Sequence, residues 1–143
     1  VLCVEAIAGV ETHGLDPRRI PACTYSHPQV ASIGLTEARA QAWADSAGRT
    51  LGIGRFPFSA NGKAIAMGEE QGLVKTLFDQ ETGELLGAHI VHPEASELIA
   101  SYAVATALEA TDADLAQTVF AHPTLSEARH EATLAGLGRA LHI

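Results

Sequence analysis

Two apolar runs, Leu73-Val74-Lys75-Thr76-Leu77-Phe78-Asp79 and Glu84-Leu85-Leu86-Gly87-Ala88-His89-Ile90-Val91, flank the polar connection Gln80-Glu81-Thr82-Gly83. Apolar runs of strand length on either side of a short Gly-containing turn read as an antiparallel hairpin. That hairpin commits the middle of the chain to antiparallel sheet. Ile20 to Ser26, with Pro21 at its start, and Val30 to Leu35 read as further strands, joined by a His27-Pro28 turn. Thr50 to Ser59 alternates imperfectly and reads as another. Asn61-Gly62 is a turn signal, and Gly68-Glu69-Glu70-Gln71-Gly72 a polar connector.

Helical patterns lie on both sides of this region. Val1 to about Gly9 has helical spacing. Thr36-Glu37 opens a helix to about Ala47, with Ala38, Ala42, Trp43 and Ala47 available for its buried face and Gly48 to end it. Pro93 starts the longest helix, to about Glu109, with Glu94 and Glu97 favourable in its first turns. Its apolar face is Leu98, Ile99, Tyr102, Val104, Ala105 and Leu108. Thr111 caps a short helix to about Thr118, with Asp114 three residues on. Three or four antiparallel strands with helices at the ends predict an α+β fold, a central antiparallel sheet packed by helices, and not a βαβ repeat.

The stretch Ala121-His122-Pro123-Thr124-Leu125-Ser126-Glu127 is where chemistry concentrates. Histidine has an unperturbed pKa near neutrality, so it can give or take a proton at physiological pH. Pro123 fixes its own φ and drives His122 out of the helical region. Thr124-Leu125-Ser126-Glu127 fits the S/T-x-x-E capping box of a helix running to about Gly136. Glu127 therefore has two competing roles. It can close the capping box on Thr124, or accept a hydrogen bond from the His122 ring, orienting the imidazole and stabilising its charged form, and its two oxygens leave room for both.

Other polar candidates carry less. His13 reads as a solvated loop residue and His27 as part of a turn. His89, His92, Glu94 and Glu97 lack a closed ligand spacing, so no metal site is expected. His130 and Glu131 on the last helix are expected to be exposed. Cys3 and Cys23 have neither metal nor redox spacing and read as free thiols in a reducing compartment. The net charge is −8, with 17 acidic against 9 basic residues and no Lys/Arg cluster, which argues against nucleic acid as a partner. No stretch approaches a membrane span. There is no Gly-x-Gly-x-x-Gly turn and no phosphate loop for a dinucleotide. An apolar share of 47% suits a surface that a partner covers.

Ala121-His122-Pro123-Thr124-Leu125-Ser126-Glu127-Ala128, followed by Glu131-Ala132, resembles the C-terminal signature of the dihydrolipoamide dehydrogenases, within the flavoprotein disulfide reductases. Ile20-Pro21 through Tyr25-Ser26-His27-Pro28-Gln29-Val30-Ala31-Ser32-Ile33-Gly34-Leu35-Thr36-Glu37 resembles the opening of that family's interface domain. Phe56-Pro57-Phe58, Ala60-Asn61-Gly62-Lys63-Ala64 and Gly72-Leu73-Val74-Lys75 resemble its middle, and Ala95-Ser96-Glu97-Leu98-Ile99 its long helix. Together they cover nearly the whole chain.

The resemblance implies a two-layer interface domain over residues 20–143, with residues 1–19 as the tail of a preceding flavin-domain helix and a linker. It implies a homodimer oxidising dihydrolipoamide on a lipoyl domain of a 2-oxo acid dehydrogenase complex, in the cytoplasm. FAD and NAD would be held mainly by domains outside this chain, which alone would be inactive. It assigns His122 as the acid–base residue and Glu127 as its partner. It also places the His122 and Pro123 backbone near the other subunit's flavin, with a cis His-Pro bond. Val119-Phe120 departs from the Cys-His usual there, and His92-Pro93 from Gly-Pro. The alternatives are a dimerisation module without chemistry and the interface domain of another disulfide reductase, such as a glutathione reductase-like enzyme.

Overall fold

The hairpin lies inside the sheet, not at its edge. In the computed structural model, which describes residues 1–143, β4 (Leu73–Asp79) and β5 (Leu85–His92) pair antiparallel. β5 also pairs with β2 (Gln29–Gly34), β2 with β1 (Ala22–Thr24), and β4 with β3 (Leu51–Pro57). The order is β1-β2-β5-β4-β3, five strands, all antiparallel. The hairpin turn is locked by the buried Asp79 carboxylate, which accepts from Thr82 Oγ1 at 2.6 Å and Glu81 N–H at 3.1 Å and pairs with Arg49. Burial alone would raise its pKa. The hydrogen bonds and the Arg49 charge outweigh that, and the pKa lies below the usual carboxylate range.

β4 and β5 are buried along most of their length because both faces of the sheet are covered. The larger core joins Ile33, Phe56, Phe58, Phe78 and Ile90 to Tyr102 and to Ala128 and Ala132 of α7 (Glu127–Gly136). The smaller one joins Leu77 and Leu86 to Ala40 of α2 (Glu37–Ala47). α2 turns Ala40 and Ala44 inward and leaves the expected Ala38, Ala42 and Ala47 exposed; Trp43 is half-buried. Alanines occur all round this helix and do not mark a face. The bulky apolar residue, Trp43, stands beside the true one.

Two further expectations are refined. The Asn61-Gly62 turn signal is realised as a helix start: Asn61 Oδ1 accepts Ala64 N–H at 2.9 Å and caps α3 (Gly62–Met67). An asparagine at a turn and one at a helix N-cap use the same short acceptor, so the dipeptide alone does not distinguish them. The long helix is realised as α4 (Ala95–Leu98) and α5 (Ala100–Ala107), abutting at Ile99. There Tyr102 N–H bonds to Ile99 O, three residues back, while Leu98 O accepts from Ser101 Oγ and from Arg129 of α7, each at 3.2 Å. Of its expected apolar face, Val104 and Leu108 are exposed.

The remaining helices are where the patterns put them. α1 (Leu2–Ile7) buries none of its residues. α6 (Asp112–Gln117) starts on a full Thr111/Asp114 capping box.

α7 lies tight against β3. A Cβ at Gly54 would stand 1.8 Å from Ala132 O, the same carbonyl that accepts Thr76 Oγ1 at 3.1 Å. This contact sets the position of the helix whose first residue is Glu127.

Candidate functional site

The segment between α6 and α7 carries His122 on a cis His122-Pro123 peptide bond. Thr124 anchors the segment on three sides. Its carbonyl accepts from Asn61 Nδ2 at 3.1 Å, its N–H donates to Glu127 Oε2 at 2.8 Å, and its hydroxyl donates to Ala121 O at 2.7 Å. His122 Nδ1 is 2.8 Å from Glu127 Oε1. An ionised carboxylate only accepts, so the proton on this side belongs to Nδ1. The two competing roles of Glu127 are thus shared between its two oxygens. The capping box is half formed, because the Thr124 hydroxyl turns back to Ala121 and leaves the N-cap position to Ser126, which makes no side-chain cap.

The electrostatics suit a base and its support. The His122 side chain is 79% exposed and that of Glu127 30%. Burial pushes the Glu127 pKa up, but the Thr124 N–H and the His122 ring outweigh it and hold the carboxylate ionised at neutral pH. With Nδ1 committed, the open nitrogen is Nε2. It can take a proton from an acid that approaches from outside, and Glu127 stabilises the imidazolium that results. The ring lines an open cleft of about 610 Å³ between the α3 start, α6 and α7.

Glu131 and His130 depart from their expected exposure. The Glu131 side chain is only 6% exposed. Its Oε1 accepts from His142 Nδ1 at 2.8 Å, and its Oε2 from the N–H groups of Leu141 at 3.1 Å and His142 at 3.3 Å. A second His–Glu pair therefore borders the same cleft. The available signal was the four-residue spacing of Glu127 and Glu131, which puts them on one helix stripe; the return of residues 139–143 was not visible. His130 is half-buried, donating from Nε2 to Ala116 O at 2.9 Å. Asn61 was missed as a support of the loop for the reason given above.

Burial raises the Glu131 pKa and its donors, His142 first, lower it further, for a net depression. Its stabilising contribution is present above the ordinary glutamate pKa and is lost as pH falls through the depressed folded value. Glu131→Gln should cost about 2 kcal/mol at neutral pH, the scale of hydrogen bonds to a charged group. Paired urea melts should show that gap closing below about pH 4. A gap independent of pH would leave only a packing role.

The other histidines do not converge on this site. His89 donates from Nε2 to Leu35 O at 2.9 Å, and His92 from Nε2 to Glu69 O at 3.0 Å, while His92 Nδ1 accepts Glu94 N–H at 3.1 Å. Burial lowers the pKa of both rings. Glu94, Glu97, His13 and His27 are exposed, and Cys3 and Cys23 are free thiols.

A sheet of this order, with a cis His-Pro loop ahead of its last helix, can be compared with known proteins. The family model described as "Pyridine nucleotide-disulphide oxidoreductase, dimerisation domain" matches residues 20–133. The chain belongs to that family. Among the relatives of this dimerisation domain are dihydrolipoyl dehydrogenases of Rhizobium etli and Zymomonas mobilis, each 54% identical over 99% of this chain and 29% and 30% of theirs. That of Bacillus subtilis is 44% identical over 99% of this chain and 29% of its own. The chain thus spans under a third of the length of these relatives. Among solved structures, LpdA of Mycobacterium tuberculosis superposes with a TM-score of 0.79 at 28% identity, over 92% of this chain and 28% of that one. The flavoprotein disulfide reductase RclA of Escherichia coli gives 0.80 at 22% identity, over 92% and 30%, a likeness of fold. The α+β interface architecture expected from the sequence is that of these neighbours. No helix of the domain is long and apolar enough to cross a membrane.

Proposed function

We propose that this chain is the dimerisation domain of a dihydrolipoyl dehydrogenase, and that in the full-length homodimer it presents His122 and Glu127 to the dithiol site of the other subunit. The observation that carries this reading is the 2.8 Å Nδ1–Glu127 hydrogen bond on a ring whose Nε2 edge is open to an incoming group. Residues 20–143 form the interface domain; residues 1–19 are a helix tail and linker, in keeping with an α1 that buries nothing. The exposed Val104 and Leu108 suit a face that a second subunit covers.

In this reading a thiol of dihydrolipoamide, carried on a lipoyl domain of a 2-oxo acid dehydrogenase complex, gives its proton to His122 Nε2. The thiolate attacks one sulfur of a disulfide in the other subunit. A new S–S bond forms, the old one breaks, and its second sulfur leaves as a thiolate. The second substrate thiol then resolves the mixed disulfide, leaving oxidised lipoamide and a dithiol in the enzyme. His122 moves protons; Glu127 orients it and bears the opposite charge.

FAD and NAD, which this reading requires as electron acceptors, do not fit the residues present. The His122 cleft is bordered by Glu127 and Glu131 and by no Lys or Arg, a poor setting for a diphosphate. Both belong to other domains, and only the edge of His122-Pro123 would face the other subunit's flavin. The isolated chain is accordingly inactive. Free Cys3 and Cys23 agree with a reducing compartment, the cytoplasm in this reading.

Glu127→Gln in the full-length protein separates this reading from a dimerisation module without chemistry. Glutamine can still accept the Thr124 N–H, so the loop should hold, but it cannot neutralise an imidazolium. Turnover of dihydrolipoamide should fall roughly tenfold or more with the melting temperature nearly unchanged. Lowered stability with undiminished turnover would reduce Glu127 to a helix cap. Turnover of another disulfide or dithiol in preference to dihydrolipoamide would point to a glutathione reductase-like relative.

A further inference from the structure

The His122 cleft holds a second imidazole in the same chemical setting as the first. Glu127 and Glu131 stand four residues apart on α7, so the helix rises by about 6 Å between them and turns both to one side. Each carboxylate holds one ring by its Nδ1 at 2.8 Å: Glu127 that of His122, and Glu131 that of His142. Both pairs border the one cleft. The two imidazole side chains are 79% and 65% exposed, and neither Nε2 has a partner within the chain.

Holding the segment 139–143 does not require this arrangement. The N–H groups of Leu141 and His142 both reach Glu131 Oε2 and close the return of the segment by themselves. Oε1 is left for the ring alone. Glu127 divides its oxygens in the same way, Oε2 on the Thr124 N–H and Oε1 on an imidazole. Burial raises the Glu131 pKa, and its donors, His142 first, outweigh that, so the carboxylate is ionised at neutral pH. The ring proton therefore lies on Nδ1, and Nε2 is the basic nitrogen of His142. The remaining groups of the cleft do not compete: His130 donates from Nε2 to Ala116 O at 2.9 Å, and no Lys or Arg lines it. Glu127, whose pKa burial raises and Thr124 and His122 lower, also feels the charge of His142. Two imidazoliums in this cleft would thus be matched by two carboxylates.

The reaction proposed above has two protons to place. A dithiol oxidised to a disulfide gives up one from each sulfur, and the first goes to His122. While His122 holds it, that ring cannot serve the second thiol. The two thiols stand a short carbon chain apart on one substrate, so a second base has to stand in the same cleft. We propose that His142 is that second catalytic base, its Nε2 taking the proton of the second thiol as this sulfur resolves the mixed disulfide. The inference rests on the acid–base reading of His122. The second thiolate attacks the substrate sulfur already joined to the enzyme. The S–S bond of oxidised lipoamide forms, the mixed disulfide breaks, and the enzyme sulfur leaves as a thiolate with the electron pair. The two substrate protons end on His122 and His142, each beside its own carboxylate.

The test is a rapid-quench single turnover of the full-length protein with dihydrolipoamide, followed by alkylation of free thiols and intact-mass analysis. His142→Asn is the variant, because the asparagine amide nitrogen can replace Nδ1 as donor to Glu131 while nothing replaces Nε2 as a base. The mixed disulfide should form at its wild-type rate. Its resolution should slow roughly tenfold or more, so that a covalent lipoamide adduct accumulates. The adduct should fade as pH rises above about 8.5, where the second thiol ionises unaided. A variant that resolves the adduct at the wild-type rate overturns the proposal. So does one that slows both steps equally at every pH with no adduct, since His142 then only braces the segment 139–143. His122→Gln separates the two readings. If it loses thiol attack while His142→Asn resolves normally, the acid–base reading stands and this one falls; if the wild-type protein does not oxidise dihydrolipoamide, both fall.

Discussion

Replacing His122 by glutamine in the full-length protein should lower the rate of dihydrolipoamide oxidation by at least roughly a hundredfold, the lower end of what general acid–base catalysis contributes. Glutamine keeps a hydrogen-bonding side chain at the loop but cannot take a proton at neutral pH. The Thr124 anchors to Asn61, Glu127 and Ala121 do not involve the imidazole, so the loop and α7 should stay in place. Flavin content should be unchanged. The pH dependence supplies a second readout. An unperturbed thiol ionises near a pKa of about 8.5 or above, so alkaline solution supplies the thiolate without a base. The deficit of His122→Gln should therefore shrink as pH rises above that value, whereas a displaced loop would give a deficit independent of pH. Single-turnover reduction by dihydrolipoamide across a pH series measures both. A variant that turns over at the normal rate at neutral pH removes His122 from the mechanism.

What the sequence made legible follows physical lines. The β4–β5 hairpin was visible because two apolar runs and a four-residue turn between them are local features. The Thr111–Asp114 cap was visible for the same reason. The His122–Glu127 contact was half legible, since the spacing allowed two roles and only the geometry shows one oxygen serving each. Glu131 was misjudged because its burial comes from residues 139–143 folding back, a contact ten and eleven positions away that leaves no periodic trace. Asn61 was misjudged because turn and N-cap draw on the same side chain. At the break beside Ile99, the Leu98 carbonyl accepts from Arg129, thirty-one residues away in sequence. Of these, Glu131 and the Leu98 carbonyl have partners remote in sequence, whereas Asn61 caps locally and was ambiguous by residue type.

Gly54→Ala should be strongly destabilising although it lies outside the His122 loop. The φ of Gly54 is not positive, so its backbone suits any residue, and in a strand alanine would otherwise be the better choice. The cost is steric. A Cβ there would lie 1.8 Å from Ala132 O and 2.7 Å from Gly136 N, both backbone atoms of α7. No rotamer change relieves such a clash, so β3 and α7 must separate, opening the Ala128–Ala132 face of the core. A loss of about 3 kcal/mol is expected, at the upper end of overpacking effects. Gly52→Ala is the control on the same strand: there the first atom met is Gln80 Cγ at 3.1 Å, part of a flexible side chain that can swing away. It should cost less than about 1 kcal/mol. Urea unfolding of both variants, followed by far-ultraviolet circular dichroism, makes the comparison. Because α7 starts at Glu127, moving it also draws the carboxylate from His122 Nδ1. The full-length Gly54→Ala protein should therefore lose turnover under conditions where it is still folded, as Gly52→Ala should not. Equal stability of the two variants would mean that α7 does not sit on β3 as closely as these contacts require.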